Sequence, residues 1–138
     1  MPKGKISFKV SNRLSELETL CKKIDQYGVQ LGIPNKCMFE VHLVLEELFT
    51  NITCYGHRDD KEHWVQVSIS CKNDIMTIQI EDDGIPFNPL EFKKPNIECA
   101  LEDRDIGGIG IHLVKHYIND CIYERRGNKN ILIIKKTI

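Results

Sequence analysis

The chain has 138 residues, 41% of them hydrophobic and 28% charged, which suits one compact globular domain with a single sizeable core. A formal net charge of −1 and a pI near 6.5 provide no bulk basic field for nucleic acid or an anionic membrane. No apolar run approaches bilayer-spanning length, and the N-terminus MPKGKISFKV lacks the apolar core of a signal peptide, so the expected location is the cytoplasm.

Six cysteines stand at 21, 37, 54, 71, 99 and 121, none of them spaced as CxxC. Metal clusters and redox motifs need close spacing, so they read as reduced, mostly buried thiols, and a disulfide framework is not expected.

Residues 5–10 alternate, with Ile6, Phe8 and Val10 against Lys5, Ser7 and Lys9, and predict a half-buried strand. Ser11 or Asn12 then caps a helix whose apolar positions Leu14, Leu17, Cys21 and Ile24 follow the helical period and fade towards Gly32. Pro34 suits the first turn of a second helix, 34–55, with Met38, Val41, Leu45, Leu48 and Ile52 as its buried stripe. At about 100° per residue, Glu47 and Asn51 share a face away from that stripe, while Glu46 points about 100° from Glu47. After a polar connection, 64–71 and 75–82 form a hairpin turned by Lys72, Asn73 and Asp74.

The segment 83–106 exceeds the roughly 12–15 residues beyond which a structureless loop is usually functional or disordered. A helix is predicted from 108 or 109 to about 118, then a second hairpin, 121–126 and 131–136, around Gly127 and Asn128. Neither a repeat nor a linker interrupts the order, so a single domain over 1–138 is expected. Strands on one side and helices on the other predict an α+β two-layer sandwich.

Three constellations carry possible chemistry. Glu47 and Asn51 either occupy the wet side of an amphipathic helix, or supply an amide oxygen for a hard cation such as Mg²⁺ beside a carboxylate that handles a proton. Asp82-Asp83-Gly84-Ile85-Pro86 is either an acidic turn or a strand-end carboxylate for an exocyclic amine, with Gly84 admitting a flat ring close to the backbone. Gly107-Gly108-Ile109-Gly110 is either a plain glycine turn or a nest of N–H groups that cradles phosphate at a helix N-terminus; it is neither a P-loop nor a Rossmann fingerprint. Arg104, two residues before the glycines, is the lid residue able to reach a phosphate. His112 and His116 are spaced i, i+4 but lack the Glu of HExxH, and a solvated helix face is the simpler reading.

Taken together, ExxxN on a helix, DxGxPFNP after a strand, a charged lid and GGIGIHL opening a helix resemble the GHKL superfamily of ATP-binding proteins. The phrases EDRDIGGIGIHLVKHYIND and YERRGNKN resemble its small stand-alone branch, the bacterial anti-sigma factors that are also serine-protein kinases. The resemblance covers essentially the whole chain. It implies the Bergerat-type sandwich, a mixed sheet of about five strands covered on one face by three helices. It also implies Glu47 as the catalytic carboxylate, Asn51 as the Mg²⁺ ligand and Asp82 as the adenine contact with Gly84 and Pro86 beside the base. The lid would run from about 88 to 106 and carry Arg104, and Gly107, Gly108 and Gly110 would hold the phosphates.

Implied cofactors are ATP and Mg²⁺. The implied activity is transfer of the γ-phosphate to a serine or threonine of an anti-sigma-factor antagonist, with a sigma factor as a further partner and a homodimer as a possible assembly. No direct contact with nucleic acid or membrane is expected. The alternative is a non-catalytic ATP-sensing module that regulates such a partner. Two departures stand out: Cys54 replaces a basic residue frequent after the Asn, and Ile133 is read as standing where many relatives place a Thr near the nucleotide.

Overall fold

The structure, a computed structural model, describes residues 5–55, 62–90 and 114–138. Its elements are β1 (Ile6–Ser11), α1 (Leu17–Leu31), α2 (Asn35–Tyr55), β2 (Trp64–Lys72), β3 (Ile75–Asp82), β4 (Asp120–Arg126) and β5 (Lys129–Thr137). A 3-10 turn at Leu14–Glu16 precedes α1, and residues 114–117 are helical. The predicted start of that last helix lies outside the described residues.

Every predicted strand and both hairpins are present. The β2–β3 turn places Asn73 and Asp74 at φ 53° and 63°, left-handed values that small polar residues tolerate and two-residue hairpins require. Gly127 does the same between β4 and β5, at φ 58°. The strands line up in the order β1-β2-β3-β5-β4.

All four neighbouring pairs are antiparallel, which corrects the expectation of a mixed sheet. The crossover after β3 delivers β4 parallel to β3. The hairpin return strand β5 then inserts between them, so no parallel pair comes into contact.

Side-chain alternation gives the sheet two unlike faces. Val10, Val65, Val67, Ile69, Met76, Ile78, Ile80, Leu132 and Ile134 are buried towards the helices, against Leu20, Ile24 and Tyr27 of α1 and Val41, Leu45, Leu48 and Phe49 of α2. The opposite face carries Ser7, Lys9, Gln66, Ser68 and Gln79, where Ser7 and Ser68 hydroxyls pair across β1 and β2 at 3.2 Å. This is the expected α+β two-layer arrangement.

The helix entry differs from expectation. Neither Ser11 nor Asn12 caps it; the carboxylate of Glu16 accepts the Ser11 N–H (3.2 Å), and Asn12 Oδ1 accepts the His63 N–H (3.1 Å). Asn12 thereby fastens the end of β1 to the start of β2, a bond between residues 51 apart that no local capping pattern reveals. At the other end of α1, Gly32 adopts the left-handed conformation (φ 68°) that closes the helix.

α1 and α2 approach closely at Gly28. A Cβ built there would lie 2.7 Å from Met38 Sδ. Lys136 of β5, buried on the helix face, donates to Glu40 Oε1 of α2 at 2.8 Å and to the Tyr117 carbonyl. That hydrogen bond holds the Glu40 carboxyl below its ordinary pKa.

Cys21, Cys37, Cys71 and Cys121 are free thiols, and burial pushes Cys121 up to about 12. Cys54 is disulfide-bonded, its partner outside the described residues, which corrects the expectation that every cysteine is reduced.

Candidate functional site

α2 positions the first two site residues. From 44 to 52 only Glu46 is exposed, so this half of the helix is embedded all round and its polar side chains go inside with the apolar ones. Glu47 is 7% and Asn51 1% exposed, which removes the wet-face reading of the pair. One helical turn apart, they meet: Asn51 Nδ2 donates to Glu47 Oε2 at 3.1 Å.

That bond orients the amide. In this pairing the amide nitrogen faces Glu47 and the amide oxygen faces elsewhere. Asn51 Oδ1 is buried with no hydrogen-bond partner among the described residues. Leaving a buried carbonyl oxygen unmade costs about 1–3 kcal/mol. An orphaned, pre-aimed amide oxygen beside a carboxylate fits the donor set of a hard divalent cation such as Mg²⁺.

The third residue comes from the end of β3. Of the two adjacent aspartates, Asp83 is exposed and its Oδ1 lies 3.1 Å from His63 Nδ1, whereas Asp82 is 5% exposed and faces the helix side. The parity of the strand makes this choice, because Met76, Ile78 and Ile80 lead to Asp82 on the buried face. Asp82 Oδ1 accepts from the Gly84 N–H at 3.1 Å and from Asn130 Nδ2 at 2.8 Å. Its Oδ2 makes no hydrogen bond among the described residues.

The turn after Asp82 is held from β4 and β5. Asn130 stands opposite Asp82 in the β3–β5 register and is 6% exposed. Its Nδ2 also donates to the Ile85 carbonyl at 2.8 Å, and its Oδ1 accepts from the Phe87 N–H at 3.2 Å, from the Tyr123 hydroxyl and from Arg125 Nη1 at 3.1 Å. Arg125 Nη1 donates to the Gly84 carbonyl as well, at 2.7 Å. Gly84 is thus buried and gripped on both sides of its peptide, while Pro86 is exposed on the same turn.

Glu47, Asn51, Asp82, Gly84 and Pro86 therefore fall among the described residues. Arg104, Gly107, Gly108, Gly110 and residues 91–106 of the expected lid lie outside them. Asn130, Arg125 and Tyr123 were not singled out from the sequence.

The register also moves one assignment. Ile133 pairs with Gln79 and Ile122 on the face away from the helices, so it is not at the site; the β5 side chain that meets Asp82 is Asn130. A cavity of about 640 Å³ opens between β1 and α1, lined by Ile6, Phe8, Tyr27 and Val29, and contains none of these residues. The candidate site is marked by buried polar groups, not by this concavity.

Residues 10–136 match the family model described as "Histidine kinase-like ATPase domain". Among curated proteins, the serine/threonine-protein kinase BtrW of Bordetella bronchiseptica is 23% identical over 96 residues, covering 70% of this chain and 68% of that one. The anti-sigma F factor of Bacillus subtilis is 20% identical over 108 residues, covering 78% and 74%. That of Clostridium perfringens (strain SM101 / Type A) is 20% identical over 114 residues, covering 82% and 81%.

Among solved structures, the blue-light activated histidine kinase of Erythrobacter litoralis EL346 superposes with a TM-score of 0.56 at 20% identity, over 76% of this chain and 31% of the kinase. Its separate histidine kinase domain gives 0.56 at 18% identity, over 90% and 60%. The chain thus spans less than two thirds of either solved kinase, and at such identity the likeness establishes the fold. With the family model covering all but the ends of the sequence, the chain belongs to the histidine kinase-like ATPase domain family and is an ATP-binding domain of the GHKL type.

Proposed function

We propose that this chain is an ATP-dependent serine/threonine-protein kinase of the anti-sigma-factor type, a single domain acting in the cytoplasm. The observation that carries the reading is the buried Glu47–Asn51 pair with its orphaned amide oxygen. A buried carbonyl oxygen without a protein partner beside a carboxylate is a place that a cation or a water completes. The kinase and anti-sigma names of the relatives support the same direction.

In this reading the adenine amine donates to Asp82, and the ring lies against Gly84 and Pro86. Asn51 Oδ1 would hold Mg²⁺, which would supply charge neutralisation at the phosphate oxygens. Gly107, Gly108 and Gly110 cradle the phosphates, and Arg104 reaches them from the lid.

Glu47 orients the hydroxyl of a partner's serine or threonine and accepts its proton. As the new P–O bond forms at the γ-phosphorus, the bond to the β-phosphate oxygen breaks and ADP leaves. The rate gain rests on positioning and on charge neutralisation. The partner is an anti-sigma-factor antagonist, a sigma factor is a second binding partner, and the protein acts as a homodimer.

Labelled ATP with a purified antagonist protein is the test. Transfer is expected from the wild-type chain and loss of transfer from Glu47→Ala; equal transfer by both removes Glu47 from the role. A second reading has an observation of its own. The bond from Asn51 occupies one oxygen of Glu47, so the carboxylate could serve only to aim the metal ligand in an ATP-sensing module. That module binds ATP with Mg²⁺ and transfers nothing.

A further inference from the structure

The amide of Asn130 sits where the three strands β3, β5 and β4 converge, and it cannot turn over. Its nitrogen gives its two protons to Asp82 Oδ1 and to the Ile85 carbonyl, both at 2.8 Å. Its oxygen faces donors alone: the Phe87 N–H, the Tyr123 hydroxyl and Arg125 Nη1. Flipping the amide would set an NH₂ group against these donors and a carbonyl against a carboxylate, so the orientation is fixed by chemistry.

We propose that Asn130, held by Arg125 and Tyr123, is the positioning residue that makes Asp82 selective for a purine bearing a 6-amino group. With the Gly84 N–H and Asn130 both donating to Oδ1, that oxygen is saturated and the carboxylate plane is set. Oδ2 is left as an acceptor of fixed direction. It accepts from an amine at purine position 6 and repels a carbonyl there. The Arg125 guanidinium bonds both Asn130 Oδ1 and the Gly84 carbonyl, so one side chain couples the aim of the carboxylate to the peptide against which the ring would lie.

The inference rests on the reading that Asp82 meets adenine. A network that only stiffened the turn would behave differently: its loss would weaken all purine nucleotides alike. The two roles separate when the 6-amino group is removed from the ligand.

The experiment compares calorimetric binding of ATP and of purine riboside 5′-triphosphate, which lacks only that amine, in the presence of Mg²⁺. A hydrogen bond to a charged acceptor sets the expected wild-type preference for ATP at about 10- to 100-fold. Asn130→Ala should bring it within about threefold, the residue of a bond whose acceptor is no longer aimed.

Asn130→Asp keeps an acceptor for Phe87, Tyr123 and Arg125 but sets a second carboxylate against Asp82. The preference should be lost at pH 8 and return as pH falls towards 5, when the two carboxylates share a proton and a donor to Asp82 is restored. Since it keeps the acceptor contacts, Asn130→Asp carries the comparison if the alanine variant does not fold. A folded Asn130→Asp protein that retains the full preference at pH 8 overturns the inference. A wild-type chain that binds both nucleotides equally overturns the adenine reading of Asp82, and one that binds neither overturns the proposed function.

Discussion

The two polar clusters on the helix side of the sheet are built on opposite principles. On α2, Glu47 and Asn51 share one hydrogen bond and leave an amide oxygen buried and unmade. At the end of β3, Asp82 and Asn130 belong to a network in which the backbone of 84–87, Tyr123 and Arg125 supply a partner for nearly every polar atom. The incomplete cluster costs stability and suits a ligand atom that completes it; the saturated one lends stability and suits a fixed shape. On the proposed function, the difference separates where chemistry would be done from where recognition would be held still.

Substitutions should therefore act in opposite currencies at the two places. Glu47→Gln keeps the shape and leaves an oxygen to receive the Asn51 amide, so ATP binding should persist while transfer to a protein substrate falls about a hundredfold or more in a radiolabel assay. Thermal unfolding should move little. At the saturated cluster, Asn130→Ala takes one donor from the Asp82 carboxylate and a partner from the Ile85 carbonyl and from the Phe87 N–H in a half-buried turn. Urea denaturation should record a loss of about 2–3 kcal/mol.

Away from both, Gly28→Ala forces Met38 out of the α1–α2 crossing. The thioether is adaptable, so the cost should be about 1 kcal/mol, and Met38→Ala in the same chain should remove most of it in a double-mutant cycle. The smallest effect concerns pH. Glu40 is held below its ordinary pKa chiefly by the bond from Lys136. A depressed carboxyl contributes stability that is complete above its unfolded-state pKa and lost as pH falls through the folded one. Urea midpoints should therefore decline on acidification below the usual carboxylate range, and less steeply in Lys136→Met.

Periodicity made the elements legible because the core is built from it. Alternation along β2 and β3 and the stripe on α2 correspond to side chains that are now buried. The likeness of the four motifs carried the family. What escaped was whatever depends on register. Asn130 meets Asp82 across 48 residues of sequence, and only the antiparallel pairing of β3 with β5 shows it. Ile133 was misassigned for the same reason, since an odd offset along a strand reverses the face. The burial of Glu47 and Asn51 was hidden because stripe arithmetic follows one apolar face, whereas this half of α2 is enclosed on nearly all sides. Asn12 looked like a helix cap because such residues often are; here the His63 backbone claims its side chain.

The most direct test of the account concerns the oxygen of Asn51. ATP affinity measured by calorimetry with and without Mg²⁺, for the wild-type chain and Asn51→Ala, isolates it. The metal should strengthen wild-type binding by about tenfold or more and strengthen the variant's by less than about twofold, with the variant still folded. If Asn51→Ala retains the whole gain from Mg²⁺, the orphaned oxygen is not a metal ligand and the proposed arrangement of the site is wrong.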